Sequence, residues 1–184
     1  GLTRVFQPGS RTFDVSAYAV RLNSQMFRSA TGRYQQLNED VRNDFERLDA
    51  LRTLALCRYL AGEPKKADET ALEALTIGLR HSCYGPTFTL LTLLVESSME
   101  RGREERARFF LAEASYLFTT GLLLPSKDLV VYYYYAAKLL SPRDAERHMA
   151  VAFRLFEEEK ARIGDPELVA NFLSIRSYGR IQRE

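Results

Sequence analysis

LRTLALCRYLAGEPKKADETALEA, residues 51–74, is answered forty residues later by LTLLVESSMERGREERARFFLAEA, residues 91–114. Leu51, Leu54, Gly62, Ala67, Glu73 and Ala74 recur as Leu91, Leu94, Gly102, Ala107, Glu113 and Ala114. Ala67 and Ala74 stand seven residues apart and so share one helical face, where small side chains let a paired helix approach and leucines opposite fill the gap. The glycine ends the first helix of each unit. Around these positions the apolar residues keep helical spacing: Leu48, Leu51, Ala55 and Tyr59 in one unit, Leu91, Leu94, Val95 and Ser98 in the next. Strand-like alternation is nearly absent.

Outward from this pair, the units run over 44–81 and 84–121, and a fainter third over 126–162 keeps the seven-residue spacing with Ala145 and Ala152 but lacks the glycine. Ser141-Pro142-Arg143-Asp144 offers a capping hydroxyl, a proline at the first helical position and a carboxylate near the helix dipole, and Asp165-Pro166-Glu167 repeats the device. Residues 1–12 read as irregular. Residues 13–43 carry Phe13, Val15, Tyr18, Leu22 and Phe27 at broadly helical spacing and are expected to form N-terminal helices. Residues 165–182, with Leu168, Val169, Phe172, Ile175 and Ile181, are expected to form a helix that caps the last hairpin. The expected fold is all-α, antiparallel hairpins stacked as an α-solenoid of about seven or eight helices. The start at Gly1 suggests a piece of a longer protein.

Leu54, Ala55, Gly62, Ala67 and Ala74, with Leu94, Gly102, Ala107 and Ala114, make the chain resemble the tetratricopeptide-repeat superfamily over roughly residues 44–160. The spacing near forty, longer than the standard repeat, is similar to that of the helical domain of MalT-like regulators. The third unit departs from the pattern, placing Tyr133 where a small residue is usual. The proline that often closes a unit is replaced by Leu79 and Thr119. The resemblance implies that the first helix of each unit lines a concave surface. Its groove positions fall on Asp49, Arg52, Leu56 and Tyr59, then Thr92, Glu96 and Met99, then Lys127, Val130, Tyr134 and Lys138. This set lacks the matched lysines and asparagines that some family members use to clamp a terminal carboxylate. It suits a peptide segment, a partner helix or a modest ligand instead.

Composition narrows the chemistry. With 46% hydrophobic residues in 184, the chain can bury a substantial core without staples. Its 26 basic against 24 acidic residues leave a net charge of +2, which gives no electrostatic case for a nucleic-acid partner. Cys57 and Cys83 stand in no metal-finger spacing and read as reduced thiols of an intracellular, cytoplasmic protein. The most apolar run, Leu129–Ala137, is far shorter than a membrane helix.

No catalytic motif appears, and no cofactor or metal is expected. His81 and Cys83 supply two ligands where zinc needs three or four, and His148 lies in another hairpin. The alternating signs of Glu100–Arg108 suit a solvated turn, and the faint helix-turn-helix pattern in 167–184 leaves little length for a recognition helix. The run Tyr132-Tyr133-Tyr134-Tyr135 spreads around a helix, so it reads either as packing between hairpins or as a binding feature with one ring in the groove. The leading functional expectation is a non-catalytic interaction module that binds a partner peptide or helix. The alternative is a sensing domain of a larger regulator with a small-molecule or peptide effector, and an enzyme on a helical scaffold stands third.

Overall fold

A computed structural model describes residues 44–119, 124–140, 142–175 and 177–183; the expected helices in 13–43 and the irregular start lie outside them. The described residues form eight helices: α1 (Asp44–Leu60), α2 (Pro64–Arg80), α3 (Tyr84–Glu100), α4 (Glu104–Thr119), α5 (Ser126–Leu139), α6 (Pro142–Ile163), α7 (Pro166–Ser174) and α8 (Tyr178–Ile181). They pack as consecutive antiparallel hairpins, α1 with α2, α3 with α4 and α5 with α6. The first helices of the hairpins, α1, α3 and α5, also touch in series and form the inner layer of an all-α solenoid. Among the described residues no helix is long and apolar enough to cross a membrane. Cys57 and Cys83 are free thiols.

The forty-residue period resolves into two of twenty, since α2, α3 and α4 begin at residues 64, 84 and 104. The turns explain the regularity. After α1, the Glu63 N–H donates to the Arg58 carbonyl at 2.9 Å and the Gly62 N–H to Tyr59 at 3.0 Å; after α3, Arg103 donates to Ser98 at 2.9 Å and Gly102 to Met99 at 3.1 Å. This is the Schellman arrangement, whose pivot must be left-handed, and Gly62 and Gly102 have φ of 76° and 66°. The turn after α2 makes the same bonds, Cys83 to Gly78 and Ser82 to Leu79. There the pivot is Ser82 at φ 53°, a side-chain-bearing residue in a strained region.

Helix starts follow the local chemistry. Proline opens α2, α6 and α7, where its missing N–H costs nothing. The Asp165 carboxylate accepts the Glu167 and Leu168 N–H groups at 2.8 and 3.3 Å, which satisfies orphan donors of α7.

Ala67, Ala74, Ala107, Ala114 and Ala152 are all essentially buried among Leu51, Leu54, Leu91, Leu94, Leu111 and Phe88. Two further devices hold neighbouring hairpins. Gly78 lets α2 approach α3 so closely that a Cβ there would stand 2.5 Å from Thr87 Oγ1. Asp68, only 5% exposed, accepts from Ser97 Oγ at 2.7 Å and pairs with Arg106 at 2.7 Å and with Arg101. One carboxylate thereby ties α2, α3 and α4, and its charge is compensated on two sides.

Candidate functional site

The inner layer of α1, α3 and α5 receives the protein's own C-terminal segment, which bonds to α3 and α5. At Ile175 the backbone turns extended, with φ −95° and ψ 133°. The expected single capping helix over 165–182 is therefore two helices, α7 against α6 and the one-turn α8 folded back over the inner layer. Gly179 permits this: a Cβ there would sit 2.6 Å from the Leu173 carbonyl oxygen. Below, residues 175–183 are called the strap.

Each strap residue that bonds to the inner layer has a distinct partner. Ser177 Oγ donates to Glu96 Oε1 at 2.6 Å and stands 2.8 Å from the Tyr135 hydroxyl. Tyr178 donates its hydroxyl to the Lys127 carbonyl at 3.0 Å, and its ring stacks on Phe172 at 4.2 Å. Arg180 pairs with Glu100 at 2.5 Å. Ser177, Tyr178 and Ile181 are 1%, 3% and 0% exposed.

The positions named from the sequence as groove residues differ in exposure. Tyr59, Thr92, Glu96, Val130 and Tyr134 are buried at 8%, 1%, 0%, 0% and 2%. They belong to the inner layer, with the strap seated on Glu96. Lys127 is exposed, and its contact with the strap runs through its backbone carbonyl. Lys138 is exposed and holds its ammonium 4.7 Å from the Tyr134 ring centroid, a cation–π contact. Met99 joins Tyr134 and Lys138 at one cleft. Arg52 and Asp49 pair with each other at 2.5 Å on α1, and Leu56 is half-buried against the core. Neither the pair nor Leu56 has a described contact with the strap.

Burial and acidic neighbours shape the seat electrostatically. Burial first, then the Glu96 charge and a hydrogen bond to Glu100, hold the Tyr59 phenol well above its ordinary range. Burial and the Glu96 charge do the same to Tyr135, against a weaker opposing effect of its Ser177 hydrogen bond and Arg180. Both phenols therefore remain donors, suited to the acidic pair of α3.

The tyrosine run serves packing and the site together. Tyr132 bonds to Ser115 at 2.8 Å and stacks on Phe118; half-buried Tyr133 faces His148; Tyr134 lies under Lys138; Tyr135 reaches the strap. Outside this site, His81 Nε2 meets Asp44 at 2.7 Å, a hydrogen bond that lowers the Asp44 carboxyl below its usual value. Among the described residues no group of three His, Cys, Asp or Glu side chains is placed to hold a metal ion.

The repeat register pointed to Tyr59, Glu96 and Tyr134, and the tyrosine run marked Tyr135 as either a packing or a binding residue, but the sequence reading missed Glu100, Ser177, Tyr178 and Arg180. The last three come from a segment whose docking no local period records. The glycine at 179, inside an otherwise apolar helical stripe, is the one residue that marks the close approach. No protein-family model, curated protein or solved structure matches the chain.

Proposed function

We propose that the domain is a non-catalytic, tetratricopeptide-like interaction module whose inner layer receives a short segment of a partner protein in an intracellular setting. The chemistry of that segment is a hydroxyl residue, an aromatic next to it and an arginine two residues further on. The carrying observation is the strap, Ser177-Tyr178-Gly179-Arg180, which supplies these groups to Glu96, the Lys127 carbonyl and Glu100. An acidic, tyrosine-walled seat that takes such a segment from its own chain offers the same donors and acceptors to one from another chain. The intramolecular strap then acts as a competitor at an effective concentration on the order of millimolar.

The test uses a labelled peptide with the sequence of residues 171–183, read by fluorescence anisotropy against the full chain. In the wild type the strap masks the seat. Arg180→Glu removes the pair with Glu100 on a side chain that is 43% exposed, so the fold is expected to persist while the strap loosens. The peptide is expected to bind this variant at least tenfold more tightly than the wild type, and adding Glu100→Arg should reverse the gain. Equal, weak binding to all three proteins, with helicity retained, refutes the proposal.

A further inference from the structure

The strap closes one wall of a cleft of about 360 Å³ lined by Met99, Tyr134, Tyr135, Lys138, Arg180 and Arg183. Its charged lining is cationic and comes from two elements. Lys138 stands in the last turn of α5, while Arg180 and Arg183 stand three residues apart on the strap, where the Arg183 N–H donates to the Arg180 carbonyl at 3.0 Å. Among the described residues, the acidic groups beside the cleft are already engaged. Glu100 pairs with Arg180 through Nη2, leaving further guanidinium donors on that side chain, and Glu96 lies wholly buried against Ser177. The Arg183 side chain has no ion pair or hydrogen bond with any of the described residues.

We infer that this cleft binds a small, soluble, phosphate-bearing anion and that the bound anion locks the strap onto the inner layer. Two guanidinium groups suit the paired oxygens of a phosphate, and the lysine adds a point charge from the facing wall. The volume falls in the range of small-molecule sites. Because the two arginines of the site belong to the strap and its lysine to α5, the anion favours the closed arrangement, and closure favours the anion in the same measure. This gives the domain a ligand-sensing role beyond segment binding and does not depend on it, since the site is complete without a partner.

Inorganic pyrophosphate is the probe. It is titrated calorimetrically into the full chain, with ionic strength held constant by chloride so that general screening is the same throughout. Saturable binding at one site per chain is expected, weakened at least tenfold by Arg183→Ala and by Lys138→Met. Hydrogen exchange at the amides of residues 177–182 is expected to slow at least threefold in saturating pyrophosphate, and not to slow in Arg183→Ala. Arg183 lies at the exposed end of the strap, so its variant reports on the anion without disturbing the core. Heats that do not saturate, equal affinity in wild type and Arg183→Ala, or unchanged exchange on saturation would each overturn the inference. No peptide enters the measurement, so its failure is separate from failure of the segment-binding proposal.

Discussion

Replacing Gly78 with alanine sets two effects of known sign against each other. Gly78 lies in the last turn of α2, where alanine improves the intrinsic preference for helix by up to about 1 kcal/mol. The new methyl, however, would stand 2.5 Å from Thr87 Oγ1, roughly 0.9 Å inside an ordinary contact. Thr87 is 1% exposed and β-branched, so its χ1 has little freedom to yield. Overpacking of this kind costs roughly 1–3 kcal/mol. Gly78→Ala is therefore expected to destabilise the domain by about 1 kcal/mol net. In a Thr87→Ala background the clash is gone, the next atom being Leu48 Cδ1 at an ordinary 3.7 Å, and the propensity gain should emerge as a stabilisation of up to about 1 kcal/mol. The sign thus reverses, with a coupling on the order of 2 kcal/mol. Urea midpoints for the four proteins, followed by circular dichroism, measure it. The same effect of Gly78→Ala in both backgrounds would show that α2 and α3 do not meet at these residues.

Ser82→Gly relieves the one left-handed pivot without glycine among the described residues and should stabilise by up to about 1 kcal/mol, read from the thermal midpoint. Ala67→Leu and Ala107→Leu should each cost roughly 1–3 kcal/mol in urea, and unchanged midpoints would place these alanines away from the hairpin contacts. Asp68→Ala leaves Arg101 and Arg106 facing each other in a partly dry site and should cost about 3–5 kcal/mol in the same assay, whereas a loss below about 1 kcal/mol would mean that the cluster is only a surface pair. The phenols of Tyr59 and Tyr135 are raised when folded, so above the ordinary phenol value near 10 the unfolded chain loses protons that the native chain keeps. Stability should accordingly hold below about pH 10 and fall above it, and Tyr59→Phe with Tyr135→Phe should flatten that fall in a series of denaturant titrations.

The helical architecture was legible because its determinants are local. Gly62 and Gly102 pivot the turns, Pro64, Pro142 and Pro166 open helices, and the paired alanines mark the hairpin contacts, all within a few residues of the structure they specify. The repeat register implied by the resemblance also placed Tyr59, Glu96 and Tyr134 on the inner layer. Their exposure was beyond its reach, because burial of the Glu96 side chain involves Ser177, eighty-one residues away. The turn at Ser82 was hidden for a different reason: with no glycine there, the Schellman bonds of Cys83 and Ser82 leave no compositional trace. Gly78 and Gly179 report tertiary proximity and not a local bend, and a single sequence does not distinguish the two roles.

Contacts in a helical-repeat array run from each unit to the next, so such arrays fold in pieces and their ends fray independently. The strap alters that behaviour. Its bonds from Ser177 and Arg180 to Glu96 and Glu100 span 81 and 80 residues and bypass the third hairpin. Closing so long a loop slows the final step of folding, but once closed it denies the last hairpin the freedom to detach alone. The second and third hairpins thereby become one cooperative unit, and a short C-terminal segment decides whether the array melts as a chain of neighbours or as a whole.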